Sequence, residues 1–219
     1  MTPAEENYLK TIYHLSKVSN KSVTTNAIAE QMDTKPSSVT DMIKKLSEKG
    51  LVNHKKYKGV SMTDQGNKFA LSIVRKHRLW EVFLLEKLNF AWDEVHEVAE
   101  QLEHVQSDKL IEKLDQHLGF PRFDPHGDPI PSKSGKILQV EKVLLSNCNV
   151  GEKGIFVGVN SSSVEFLQYL DKLKLVLGDR IEILFKESFD DSFQIATRDK
   201  RITISGKAAM NIYIQKVEQ

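Results

Sequence analysis

The sequence has little cysteine and no long apolar run, and each shortage excludes a class of protein. Its 219 residues include one cysteine, Cys148, so no disulfide can form within the chain and a reducing cytoplasm is the expected location. No apolar run reaches the ~18 residues that a membrane helix requires. The first residues, MTPAEENYLK, lack the basic-then-apolar pattern of a secretory signal. We therefore expect a soluble protein with no membrane partner.

Common enzyme motifs are also missing. The segment HEVAE ends in Glu100, which breaks the zincin pattern HExxH, and the sequence has no nucleophile elbow or phosphate-cradling glycine loop. We therefore expect a protein that is not an enzyme. A metal-dependent hydrolase is an alternative that no motif supports.

Charge is distributed unevenly along the chain, although the overall net charge is only +1. Residues 1–78 carry a net charge of +7, and residues 79–117 carry −7. A basic N-terminal block is typical of a protein that binds a polyanion. The acidic segment after it indicates a bound cation or a charge-complementary neighbour.

The N-terminal segment shows the element order of a winged helix-turn-helix. Thr2-Pro3-Ala4-Glu5 is a capping box that predicts a helix start. A short helix capped by Thr24 or Thr25 follows, and a third helix ends near Gly50. The runs LVNHKK and GVSMT then predict a β-hairpin with a basic tip.

This element order suits DNA, because a third helix can enter the major groove while hairpin lysines meet phosphates. The candidate DNA contacts are Ser37, Ser38, Thr40, Asp41, Lys44 and Lys45 on the helix, and Lys55, Lys56 and Lys58 on the hairpin. The alternative is a small helical domain with a solvated lysine face. The charge of +7 favours DNA.

The rest of the chain predicts a helical domain followed by a β-rich one. A helical pattern runs from Asp64 to about Leu88, and further helices are predicted near Trp92–Val105 and Ser107–Leu118. Four of the six prolines lie in FPRFDPHGDPIPSKSG, and short strands with one amphipathic helix follow. We expect a multidomain α+β protein. Its predicted domains are residues 1–72, 73–131 and 137–219, with a linker at 132–136.

The stretch HEVAEQLEH, from His96 to His104, contains two histidines and three glutamates. On a helix at ~100° per residue, the residues that share one strip are His96, Glu100, Glu103 and His104. His77 and Glu81 form a similar pair one turn apart, and residues 88–108 contain no lysine or arginine to neutralise the strip. Such clusters suit divalent first-row metals. A solvated acidic face is the alternative, and spacing alone leaves both open.

Several motifs together resemble the DtxR/MntR-type metal-dependent transcriptional repressors. They are YLKTIYHL, PSSVT with KKL and KGLV, TDQG with RKHRL, EVHEVAEQLEHV and PHGDPIP. The resemblance covers residues 1–131, and residues 137–219 are similar to the FeoA-like, SH3-type domain that many members append. It implies a winged helix-turn-helix, a helical dimerisation domain and a small SH3-like β-barrel, in a homodimer that binds double-stranded operator DNA.

The resemblance also implies a set of metal ligands. Those that match the primary site are Glu100, Glu103, His104 and, on the first helix, Asn7. Those that match the ancillary or second site are His77, Glu81 and His96. The PHG loop and the appended domain nominate Asp124, His126 and, by a looser alignment, Glu165. The expected co-repressor is Mn(II), with Fe(II) as the second candidate, because Glu100 supplies a hard oxygen where iron-responsive members have cysteine.

Two positions depart from the family pattern. Met or Asp usually stands at the position of Asn7, whose amide oxygen carries no charge, so Glu6 is an alternative first-helix ligand. Lys10 stands where manganese-selective members place a carboxylate, which argues against their binuclear arrangement. The expected function is metal-dependent repression of metal-uptake genes. The alternative is a winged-helix regulator switched by a non-metal ligand or a protein partner.

Overall fold

The computed structural model describes residues 1–19, 22–55, 59–198 and 200–217. Its elements are α1 (Pro3–Ser19), α2 (Thr25–Gln31), α3 (Pro36–Glu48), β1 (Val52–Lys55), β2 (Gly59–Met62), α4 (Asp64–Leu88), α5 (Val95–Leu102), α6 (Asp108–His117), β3 (Val143–Leu144), β4 (Lys153–Val159), α7 (Val164–Leu173), β5 (Arg180–Lys186), β6 (Phe193–Thr197), β7 (Lys200–Ile204), α8 (Gly206–Ala209) and β8 (Ile212–Lys216). They form two compact units. The first contains residues 1–77, 100–112 and 131–137, and the second contains residues 78–99, 113–130 and 138–219. The domain boundaries given above stay a prediction.

The first unit contains the winged helix. Its α1 begins with the predicted capping box, in which Thr2 N–H donates to Glu5 Oε2 at 3.0 Å and Glu5 N–H donates to Thr2 Oγ1 at 3.3 Å. Thr24 caps α2, and β1 pairs antiparallel with β2, as predicted. The helices and the hairpin enclose an apolar core whose fully buried members include Leu9, Ile12, Ile28, Val39, Ile43, Leu46 and Val60.

The second unit contains the β-rich domain. Its six-stranded antiparallel sheet has the order β3-β8-β4-β5-β6-β7. The core includes Phe156, Phe193 and, from the predicted amphipathic helix α7, Leu167. The short α8 and a 3₁₀ turn at Leu145–Asn147 were not predicted. Among the described helices, none combines the length and apolar character that crossing a bilayer requires.

The helix α5 is shorter than predicted, and this changes the geometry of the acidic stretch. It ends at Leu102, so Glu103 and His104 lie in the turn that follows. Ser107 starts the next helix, because its hydroxyl oxygen accepts from Leu110 N–H at 3.3 Å. The prediction of one helical strip that continues through His104 is therefore wrong. Glu103, expected on the outer face of that strip, is fully buried.

Candidate metal centres and DNA interface

A buried carboxylate, Glu103, is the centre of the polar cluster in the first unit. Its Oε2 lies 2.7 Å from His77 Nδ1. Both of its oxygens lie 2.7 Å from Lys10 Nζ, and Glu100 Oε1 lies 2.7 Å from the same ammonium. Ligand-type atoms of His77, Glu100 and Glu103 all lie within 4.8 Å of one another. We call these three residues the first group.

The environment of Glu103 keeps it ionised. Burial raises the pKa of this carboxyl, but the hydrogen bond with His77 and the charge of Lys10 outweigh it, so the pKa lies below its ordinary value. A buried carboxylate is costly unless a cation and hydrogen bonds compensate for its lost hydration. The position therefore requires a cation.

Helix α1 also contacts His104, through the side chain of Glu6. Nδ1 of His104 lies 2.7 Å from Glu6 Oε2, and Gln106 Nε2 donates to Glu6 Oε1 at 2.8 Å. Because a carboxylate only accepts, His104 Nδ1 carries the hydrogen and Nε2 is the nitrogen available to a metal. Both oxygens of Glu6 thus have partners. Asn7 Oδ1, in contrast, is buried and accepts no hydrogen bond from any described residue.

A second group of ligand-type residues lies in the second unit, where Glu81 of α4 meets the loop of residues 123–129. Ligand-type atoms of Glu81, Asp124 and His126 lie within 4.8 Å of one another, and all three residues are buried. Glu81 Oε1 lies 3.2 Å from His96 Nδ1 and 3.6 Å from His126 Nδ1. His126 Nε2 is buried and has no hydrogen-bond partner within the described part of the chain.

Asp124 organises this loop. Its Oδ1 accepts from the backbone N–H groups of His126 at 2.8 Å and Asp128 at 2.9 Å. Its Oδ2 lies 3.2 Å from Arg78 Nε. Burial, with the charge of Glu81 adding to it, raises the pKa of Asp124 to about 7, although Arg78 acts in the opposite direction. For His126, burial lowers the pKa, but the nearby carboxylate of Glu81 outweighs it and the pKa is raised.

Gly127 allows the loop to lie directly against β4. Its φ is +82°, and a Cβ at this position would lie 1.9 Å from the carbonyl oxygen of Val157. Val159 N–H donates to the His126 carbonyl at 3.0 Å. The Trp92 ring stacks on the His126 imidazole, with 6.0 Å between ring centroids. Backbone pairing and ring stacking thus fix the position of His126.

The structure brings together most of the predicted ligands. Glu100 and Glu103 are neighbours, as expected, and His96 contacts Glu81. His77, which the resemblance places in the second site, lies 2.7 Å from Glu103 Oε2, and its assignment to that site stays a prediction. Glu165 is exposed in the first turn of α7 and belongs to neither group, so its role stays a prediction.

Lys10 is the site residue whose partners sequence reasoning missed. It was noted as a departure from the family pattern, but nothing in residue spacing connects it to Glu100, which lies 90 positions away. Residues 88–108 contain no lysine or arginine, and the charge that neutralises Glu100 and Glu103 comes from Lys10 of α1.

The candidate DNA contacts on α3 are all exposed. They are Ser37, Ser38, Thr40, Asp41, Lys44 and Lys45. The opposite side of α3 is buried in the core of the first unit. Lys55 ends β1, and Lys56 and Lys58 lie outside the described residues. A basic helix face thus remains open while the other face packs, as a recognition helix requires.

These features define a winged-helix DNA-binding protein that carries metal-ligand clusters. Residues 1–60 match the N-terminal DNA binding domain of the iron dependent repressors, residues 63–132 match their metal binding and dimerisation domain, and residues 143–216 match the FeoA domain. The chain belongs to the DtxR/MntR family of metal-dependent transcriptional repressors. This is a family of DNA-binding regulators and not of enzymes, which confirms the expectation from the missing enzyme motifs.

Solved structures resemble the chain along nearly its whole length. A manganese-dependent transcriptional repressor in complex with manganese is 34% identical, with a TM-score of 0.85, over 97% of this chain and 100% of that one. The manganese regulator SloR is 35% identical, with a TM-score of 0.73, over 99% of this chain and 100% of that one. The predicted α+β architecture with an SH3-like terminal domain is confirmed.

Sequence relatives include iron regulators. The iron-dependent repressor IdeR of Mycobacterium tuberculosis strain H37Rv is 32% identical over 126 residues, which are 58% of this chain and 54% of IdeR. An uncharacterized HTH-type transcriptional regulator of Methanocaldococcus jannaschii is 38% identical over 114 residues, which are 52% of this chain and 91% of that protein. The match thus spans about half the length of IdeR.

Proposed function

We propose that this protein is a homodimeric repressor of metal-uptake genes with Mn(II) as co-repressor and Fe(II) as the second candidate. The observation that carries the proposal is the contact between α1 of the winged helix and the acidic end of α5. Glu6 contacts His104, and Lys10 contacts both Glu100 and Glu103. A cation bound at this contact would fix the winged helix relative to the acidic turn.

The residues proposed to hold this ion are Glu100, Glu103, His104 and Asn7. One of their oxygens, Asn7 Oδ1, is buried and accepts no hydrogen bond from the residues described. The donor set of hard oxygens and one imidazole suits Mn(II) or Fe(II). When bound, the ion supplies positive charge to the carboxylates, and Glu6 keeps His104 oriented with Nε2 available. Asn7 is the better candidate for the first-helix ligand, because both oxygens of Glu6 already have partners.

A second metal site is proposed at Glu81, Asp124 and His126, with His96 beside Glu81. The orphaned Nε2 of buried His126 supports it, because such a nitrogen is costly unless a ligand occupies it. Participation of His77 and of Glu165 in this site stays a prediction.

The DNA-binding surface is proposed to be the exposed face of α3 together with the β1–β2 hairpin. In a dimer, two α3 helices would contact half-sites about one DNA turn apart or a multiple of it. Lys44 and Lys45 would supply phosphate contacts, and the hydroxyls of Ser37 and Ser38 lie at the helix start, where base edges and phosphates are reached.

Operator binding with and without metal tests this function. A DNA ligand is first selected from a random duplex pool by the Mn(II)-loaded protein. Fluorescence anisotropy then compares affinity in chelator and in saturating Mn(II), and we expect at least a roughly tenfold gain with metal, within the usual range of allosteric coupling. Equal affinity in both conditions would contradict the metal switch.

A further inference from the structure

We infer that Lys10 is an internal competitor of the metal at the first site. Its ammonium pairs with Glu100 and Glu103 until an ion displaces it, and it thereby sets the metal concentration at which the protein responds. The inference rests on the proposed function, since it concerns the metal site proposed there.

The contact of Lys10 with Glu103 is that of a buried ion pair and not of a surface pair. The Lys10 side chain is 11% exposed, and that of Glu103 is 0% exposed. Exposed pairs contribute little to stability, whereas a buried carboxylate that loses its partner is left uncompensated. Lys10 therefore has a defined energetic role at Glu103.

Lys10 and a metal ion require the same oxygens. The ammonium lies 2.7 Å from Glu100 Oε1 and 2.7 Å from both oxygens of Glu103, so it already bridges the two carboxylates that would hold the ion. An ion bound to both carboxylates would place a second positive centre only a few ångströms from Nζ, where like charges repel strongly in a poorly hydrated site. Metal binding through both glutamates therefore requires the lysine to leave.

The same contact connects two elements. Lys10 belongs to α1 of the winged helix, and its two partners belong to the end of α5 and the turn after it. Without metal, Lys10 therefore keeps α1 in contact with Glu100 and Glu103, as the metal would when bound. Removing its charge should tighten metal binding and, in chelator, weaken DNA binding.

The variant Lys10→Met keeps most of the length of the side chain and removes its charge. Mn(II) affinity is measured by calorimetry on the full chain in a His126→Ala background, so that only the first site titrates. We expect Lys10→Met to bind Mn(II) at least about tenfold more tightly. The control Lys17→Met removes a charge from the same helix, where Nζ lies over the Tyr13 ring instead of near the glutamates, and its affinity should be unchanged.

The outcomes separate this inference from the proposed function. If Lys10→Met binds Mn(II) no more tightly than Lys17→Met, the competition is overturned while the metal site stands. If the wild-type chain binds no Mn(II), the proposed function itself fails.

A measurement on wild-type protein covers the case in which Lys10→Met does not fold. Brief acetylation followed by mass spectrometry compares the reactivity of Lys10 with that of Lys17. We expect Lys10 to be protected in chelator and several-fold more reactive in saturating Mn(II). Equal protection of Lys10 in both conditions would overturn the displacement.

Discussion

At the scale of single residues, Glu6 decides which nitrogen of His104 is available. Its carboxylate takes Nδ1 and is itself held by Gln106. Such carboxylate–histidine contacts orient a ligand, and their loss typically costs about 10–100-fold in metal affinity. We expect this loss in Glu6→Ala, measured by Mn(II) calorimetry. Glu6→Gln keeps an acceptor oxygen and should retain most of the affinity. Wild-type affinity in Glu6→Ala would show that His104 needs no orientation.

Asn7 provides a second test at this scale. Its buried Oδ1 has no hydrogen-bond partner among the described residues, so a charged oxygen of the same shape should bind an ion better. We expect Asn7→Asp to raise Mn(II) affinity about tenfold and Asn7→Leu to lower it by a similar factor, which corresponds to about 1.4 kcal/mol in each direction. Unchanged affinity in both variants would exclude Asn7 as a ligand.

At the scale of elements, local signals explain which predictions are confirmed. Thr2, Glu5 and Thr24 determine the starts of α1 and α2 through bonds to residues at most three positions away, and such signals are visible in the sequence. The end of α5 was not predictable in this way. No glycine or proline marks it, and the buried contacts of Glu103 with Lys10 and His77 come from distant segments. Spacing therefore predicted the ligand types but not the contacts of Glu103 with Lys10 and His77.

The packing of the loop of residues 123–129 against β4 provides a test at the scale of elements. Gly127→Ala would force a positive φ on alanine and place its Cβ against the Val157 carbonyl. We expect Gly127→Ala to lower the free energy of unfolding by about 1–3 kcal/mol more than the backbone strain alone would. The matched control is Gly119→Ala, where φ is +75° and nothing lies within 4 Å of the added Cβ. Equal losses would mean that the loop can move away from β4.

At the scale of the whole molecule, the uneven charge corresponds to two different tasks. The basic block of residues 1–78 forms the winged helix with its exposed lysines. The acidic segment contributes Glu81 to the second group and Glu100 and Glu103 to the first. The motifs together indicated the family and its architecture, because those depend on long stretches of sequence. The contacts of Lys10 and His77 with Glu103 depend on tertiary structure and could not be predicted from the sequence.

DNA binding supplies the prediction at this scale. Lys44→Ala should weaken binding to all duplexes and reduce the dependence of log affinity on log salt by about one unit, because one phosphate contact is lost. The control is Lys207→Ala, which removes an exposed lysine of α8 in the β-rich domain. Salt titrations of both variants check the result, and an unchanged slope in Lys44→Ala would remove this residue from the phosphate contacts.

The stacking of Trp92 on His126 has an optical consequence. The sequence contains two tryptophans, Trp80 and Trp92, and both lie in the second unit. The rings of Trp92 and His126 are inclined by only 21°. Mn(II) is paramagnetic and quenches nearby fluorophores, so filling the second group should dim the emission of Trp92. Intrinsic fluorescence would then report on that group, while calorimetry records the heat from both.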